Sequence, residues 1–172
     1  MPATLESHIL RRDSVDLDTT LPHVLALSNE IFSAEPGTKY TSLVYWKEQL
    51  SHDISAIIYL TTSEPKASSI PSNPRPIAFL FAHPRTHSPP LKDGTRETLH
   101  IWLAGVLPEQ RKMGCLGKMM QELIKDSTSL HTICTTPSRF PDMWTWLCKR
   151  GWQREKDFEE GKIMLSKIGN SH

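Results

Sequence analysis

One segment constrains the fold of this chain more than any other. The apolar run TLHIWLAGV (98–106) leads through a basic, glycine-containing turn, Arg111 to Gly117, into the cleanest amphipathic pattern in the sequence. Leu116, Met119, Met120, Leu123 and Ile124 recur there at helical spacing and mark one buried face. A strand, a glycine turn and a core-facing helix in that order require a sheet with a helix packed against it. At such a helix start several backbone N–H groups have no intrahelical partner, and the helix dipole adds positive potential. Glycine lets main chain approach a ligand closely. The turn therefore suits a phosphate or pyrophosphate, with Arg111 and Lys112 adding charge. An ordinary left-handed turn followed by a helix start is the competing reading. The spacing Gly114-Cys115-Leu116-Gly117-Lys118-Met119 is neither a Walker A loop nor a GxGxxG dinucleotide turn.

The remaining periodicities place this unit in an α+β frame. Leu21, Val24, Leu25, Ser28, Ile31 and Phe32 follow helical spacing. Thr41 or Ser42 caps a second helix that buries Leu43, Trp46 and Leu50. Strands are predicted at AIIYLTT (56–62), PIAFLFA (76–82), 98–106 and HTICTT (131–136). Pro141 and Gly151 bracket a fourth helix, and the last stretch reads as a hairpin turning near Glu160-Gly161. Along 98–106, alternation puts Leu99, Ile101 and Leu103 on one face and Thr98, His100, Trp102 and Ala104 on the other. The proline-rich stretches 63–76 and 83–95 break regular structure and read as loops off the sheet.

Length and charge bound the rest. The 172 residues fit a single domain, 1–172, able to bury roughly 70% of its unfolded surface. Twenty basic and nineteen acidic residues give a net charge of +1, against a dedicated nucleic-acid binder. There is no apolar run of the roughly 18 residues that a membrane span needs. The opening MPATLESHILRRDS lacks the apolar core of a secretory signal. Cys115, Cys134 and Cys148 are odd in number and lack CxxC spacing, so neither disulfides nor zinc are expected. A reducing, cytoplasmic setting fits. His83 and His87 flank a proline-broken loop, so no metal is assigned to them. Cys134 and Cys148 read as core, as do Trp144 and Trp146.

The run V-x-P-x-x-R-x-x-G followed by an amphipathic helix resembles the acetyl-CoA motif of the GNAT superfamily of N-acetyltransferases. The family form R/Q-x-x-G-x-G/A stands here as Arg111-Lys112-Met113-Gly114-Cys115-Leu116, with Leu116 in the final small position and Gly117 after it. Helix 141–150 followed by Gly151-Trp152 resembles the family's helix ending in Gly-Phe. The order of two helices, three strands, helix, strand, helix and final strands is similar as well. The resemblance implies a GNAT-like, mostly antiparallel mixed sheet, splayed at its central strands near Val106 and flanked by about four helices.

It also implies a site. Ala104, Gly105 and Val106 would contact the pantetheine and acetyl arm of acetyl-CoA, with Gly105 at a strand bulge. Arg111, Lys112, Met113, Gly114, Cys115, Leu116 and Gly117 would hold the pyrophosphate. His100 lies eleven residues before Arg111, where histone-type members carry a glutamate base and serotonin N-acetyltransferase a histidine. It is the expected base for the acceptor amine. Leu147 occupies the place of the family's tyrosine acid. Trp46 and Trp102, with Tyr40 and Tyr45 nearby, are expected to wall the acceptor pocket. The expected reaction is transfer of acetyl to a primary amine, a small molecule first and a protein lysine or N-terminus second, by direct attack in a ternary complex. A non-catalytic acyl-CoA-binding module and a homodimer are both left open by the sequence.

Overall fold

The computed structural model describes residues 3–63, 74–125 and 127–169. Most of the proline-rich stretch 63–76 lies outside the described residues. The elements run β1 (Thr4–Leu10), α1 (Leu17–Phe32), α2 (Leu43–Leu50), β2 (Ala56–Ser63), β3 (Ala78–Thr86) and β4 (Glu97–Val106). They continue with α3 (Cys115–Ile124), β5 (Leu130–Thr135), α4 (Pro141–Lys149), β6 (Gln153–Asp157) and β7 (Ile163–Ile168). The strands form one sheet in the order β1-β2-β3-β4-β5-β7-β6. All neighbours are antiparallel except β4 and β5. The mixed, mostly antiparallel sheet and its four helices match the sequence expectation.

Local chemistry accounts for the helix positions. Ser42 caps α2, its hydroxyl accepting the Tyr45 N–H at 3.2 Å. Gly114 stands before α3 with φ 79°, a left-handed conformation that glycine adopts without strain. On one sheet face Phe79 and Phe81 meet Phe32 of α1 and Trp46 of α2. On the other, Leu80, Ala82 and Ile101 are equally buried, and α3, which contacts β1 to β4, covers them. Trp146 of α4 is half-buried beside Gly117 of α3, with the Arg150 guanidinium 4.0 Å over its ring.

Four details depart from the sequence reading. A strand, β1, precedes the first helix; its edge position leaves Glu6 exposed and hides the alternation. β3 runs on to Thr86 through Pro84, into the stretch read as a loop. Beyond Ala82 it has no β2 partner, and such edge segments accommodate proline. The bulge falls at Trp102 rather than Gly105: Phe81 pairs with Leu103 and Ala82 with Ile101, leaving Trp102 as the extra residue. Cys148 is exposed rather than core, because α4 turns that side outward.

Candidate active site

The bulge reorganises β4. Before it, His100 pairs with His83; after it, Leu103 pairs with Phe81 and Gly105 with Phe79. Directly paired residues share a sheet face, so Leu103 and Gly105 join His100 on the α1 side, and Ala104 joins Ile101 on the other. The simple alternation expected for 98–106 is therefore interrupted at Trp102. Gly105 has its own reason. A Cβ there would lie 3.1 Å from Ile31 Cδ1 and 3.1 Å from Ile31 Cγ2, so the residue is small because α1 crosses it closely.

On its other edge β4 parts from β5. The parallel pairing comprises only Leu99–His131, His100–Thr132 and Ile101–Ile133. Among the described residues, β4 has no partner on that side from Trp102 to Val106, and from Cys134 β5 pairs with β7 alone. A wedge opens in the middle of the sheet, edged by backbone groups that need hydrogen bonds from a ligand or water.

The wedge leads to the glycine turn. Lys112 (φ 67°) and Gly114 (φ 79°) both take left-handed backbone. The first bond of α3 runs from the Lys118 N–H to the Gly114 carbonyl at 3.0 Å. Cys115, Leu116 and Gly117 consequently present first-turn N–H groups without helical acceptors. Arg111, Lys112, Met113 and Gly114 are exposed. Cys115 is buried, its thiol directed to the Gln110 carbonyl at 3.7 Å and its pKa raised by desolvation. Leu116 is half-buried and packs on the core. An open strand edge that ends on an uncapped, glycine-turned helix start fits an extended, amide-bearing ligand with a phosphate terminus. That is the chemistry of coenzyme A.

Trp102 centres an aromatic group beside the wedge. Its ring lies 5.6 Å from Tyr40, 5.4 Å from Tyr45, 5.4 Å from Phe81 and 6.1 Å from His83. Trp46 backs it at 5.8 Å but is 0% exposed. The substrate contact expected for Trp46 thus becomes support for Trp102. Tyr40 is exposed and Trp102 half-buried, so these two can touch an acceptor.

The histidines divide by hydrogen bonding. His100 is 5% exposed, and its Nε2 accepts from Arg85 Nη1 at 3.3 Å. Arginine can only donate, so the His100 proton sits on Nδ1 and goes to Thr132 Oγ1 at 2.9 Å. Thr132, Thr98 and His87 continue this buried chain through contacts of 2.9 Å and 2.7 Å. Desolvation first, then the Arg85 charge, push the His100 pKa down to about 2. A ring without a spare lone pair and so weakly basic is poorly equipped for the base role expected of it. His83, set aside in the sequence as part of a loop, is half-buried. Its Nδ1–H donates to the Pro84 carbonyl at 3.0 Å, leaving Nε2 as the acceptor. Its pKa is lowered by desolvation despite that bond, so it is neutral near pH 7. No three His, Cys, Asp or Glu side chains are grouped to hold a metal among the described residues.

No family model matches the sequence, and no curated protein does. Solved structures do match. The chain is similar to NAA60 of Arabidopsis thaliana, in complex with a bisubstrate analogue, at 12% identity and a TM-score of 0.66. That match spans 98% of this chain and 100% of the other. It is similar to the aminoglycoside N-acetyltransferase AAC(6')-Iy with a bisubstrate analogue at 16% identity and a TM-score of 0.62, over 98% and 97% of the two chains. A third likeness, at 13% identity and a TM-score of 0.58, is to the ribosomal-protein-S18-alanine N-acetyltransferase of Escherichia coli, over 97% and 96%.

The fold is that of the GNAT acetyltransferases.

Within the GNAT fold the divided strands and the Gly114 turn fall in one continuous line. Leu147, where the sequence resemblance implied a tyrosine, is wholly buried and offers no proton. Cys134 stands at the root of the wedge with its pKa raised by burial, which suppresses the thiolate. Among the described residues no helix is long and apolar enough to cross a membrane.

Proposed function

We propose that the chain is an acetyl-CoA-dependent N-acetyltransferase acting on the primary amine of a small molecule. The observation that carries this reading is the separation of β4 from β5 after Ile101–Ile133, running toward the Gly114 turn. In this reading the main chain of Ala104, Gly105 and Val106 pairs with pantetheine and polarises the acetyl carbonyl. The turn from Arg111 to Gly117 receives the pyrophosphate, mainly through the N–H groups of Cys115, Leu116 and Gly117. Trp102 and Tyr40 face the acceptor.

Acetyl transfer requires a neutral amine, and His83 is the better-placed proton acceptor. Its Nε2 lone pair is uncommitted among the described residues, and its ring is 6.1 Å from Trp102. His100 holds Arg85 and Thr132 in position instead. Direct attack in a ternary complex is supported by the cysteines: Cys115 and Cys134 are held as thiols by burial, and Cys148 lies on the outer side of α4. Proximity then supplies most of the rate advantage.

Two variants test the assignment of the base. His83→Ala should lower turnover by about 10²–10⁴-fold, leave acetyl-CoA affinity near wild type, and regain rate as pH rises. His100→Ala should lower the melting temperature and reduce turnover less. A folded His100→Ala protein with the large loss, beside a His83→Ala protein of normal rate, would return the base role to His100.

A further inference from the structure

Arg85 makes no ion pair among the described residues. It projects from β3 on the His83–His100 face, half-buried. Its Nη1 lies 3.3 Å from His100 Nε2 and 4.0 Å from Cys134 Sγ, the first β5 residue beyond the pairing with β4. The guanidinium therefore sits at the root of the wedge. It also lines a cavity of about 300 Å³ formed with His87, Lys92, Glu155, Lys156 and Phe158. Among the described residues no carboxylate pairs with Arg85, and its Nε and Nη2 make no hydrogen bond to the protein. Glu155, a carboxylate lining the same cavity, is hydrogen-bonded away from Arg85. Glu155 Oε1 accepts from the Ser166 hydroxyl at 2.6 Å, and Oε2 accepts from the Lys92 N–H at 3.1 Å. Apart from Glu155, the charges that act on this histidine and cysteine cluster are positive: Lys156 on His87, Lys162 on His100 and Cys134, and Lys39 on His83.

A half-buried guanidinium with no carboxylate in contact keeps directed donors free for a ligand. Its planar fork fits a carboxylate through two parallel N–H···O bonds. We propose that Arg85 receives a carboxylate of the acceptor, so that the substrate class is an amine with a nearby carboxylate, of the amino-acid type. The spacing supports this. The His83 and His100 rings are 6.0 Å apart, and Arg85 is within hydrogen-bond reach of His100, so amine and carboxylate are separated by few bonds. The apolar part of the acceptor lies toward Trp102 and Tyr40. This inference rests on the acetyltransferase reading, and it identifies the acceptor class of that same site.

The test uses product pairs that differ only in the α-carboxylate. N-acetylphenylalanine is compared with N-acetylphenethylamine, and N-acetylleucine with N-acetyl-3-methylbutylamine, by calorimetry on the full chain with CoA present. The carboxylate member should bind at least about tenfold more tightly in one pair. In Arg85→Gln that preference should shrink to roughly twofold or less. Arg85→Lys, which keeps the charge but loses the fork, should lose at least about threefold of it and serves if the glutamine variant does not fold. Equal affinity in both pairs, weak binding of every member included, overturns the proposal, as does an undiminished preference in a folded variant. Turnover of the free amines separates the two claims. Equal rates for phenylalanine and phenethylamine, and for leucine and 3-methylbutylamine, would sink the carboxylate site and leave acetyl transfer standing. Absence of any turnover would sink acetyl transfer, while the product comparison still judges Arg85.

Discussion

Four histidines, His83, His87, His100 and His131, have pKa values lowered chiefly by desolvation. Each stays neutral to a lower pH in the folded chain than in the unfolded one, where it takes up a proton near pH 6.5. The unfolded state thus binds more protons below that pH, and stability falls as pH drops through it. With the His100 pKa at about 2, that residue alone should cost about 2 kcal/mol between pH 7 and pH 5. Urea unfolding at both pH values should show the loss, and His100→Gln should reduce it by about that amount. An equal pH slope in wild type and variant would contradict a buried, neutral His100. The sequence identified His100 by its distance from Arg111, but nothing local told that its lone pair belongs to Arg85, fifteen residues earlier in the chain. His83 was missed for a related reason. Its neighbour Pro84 signals a loop, and only the end of β2 at the Ala56–Ala82 pair explains why the strand persists.

At the scale of elements, the approach of α1 to β4 is the contact that a single atom would disturb. Gly105→Val should lower stability by about 1–3 kcal/mol, because its Cβ must displace Ile31 and Phe32. Thermal melting checks this, and an unchanged melting temperature would mean that α1 does not press on Gly105. The helices were legible because their buried faces repeat in sequence, as in Leu116, Met119, Met120 and Leu123, and because Ser42 and Gly151 mark ends. The bulge was not legible. Trp102 continues an apparently regular alternation, and its displacement is visible only against Leu103 and Ile101 paired to consecutive β3 residues. β1 escaped because an edge strand with one wet face carries Thr4 and Glu6 where a central strand would be apolar.

Among the described residues the molecule is a seven-stranded sheet divided at its one parallel junction, with an aromatic wall on the α2 side and residues of mixed charge toward β6 and β7. The motif at Arg111–Leu116 let the cofactor side be read from sequence, since backbone turns follow from glycine and helix boundaries. The acceptor side draws on β3, β5 and the β6–β7 hairpin, segments far apart in the chain, and only the fold unites them. Acetyl transfer to an amine is the central claim, and thiol release from acetyl-CoA over a panel of amines, amino acids and a peptide tests it most directly. Free CoA should be released only when an acceptor is present, with one acetylated amine formed per CoA. Bound acetyl-CoA with no amine-dependent release across the panel would contradict the account.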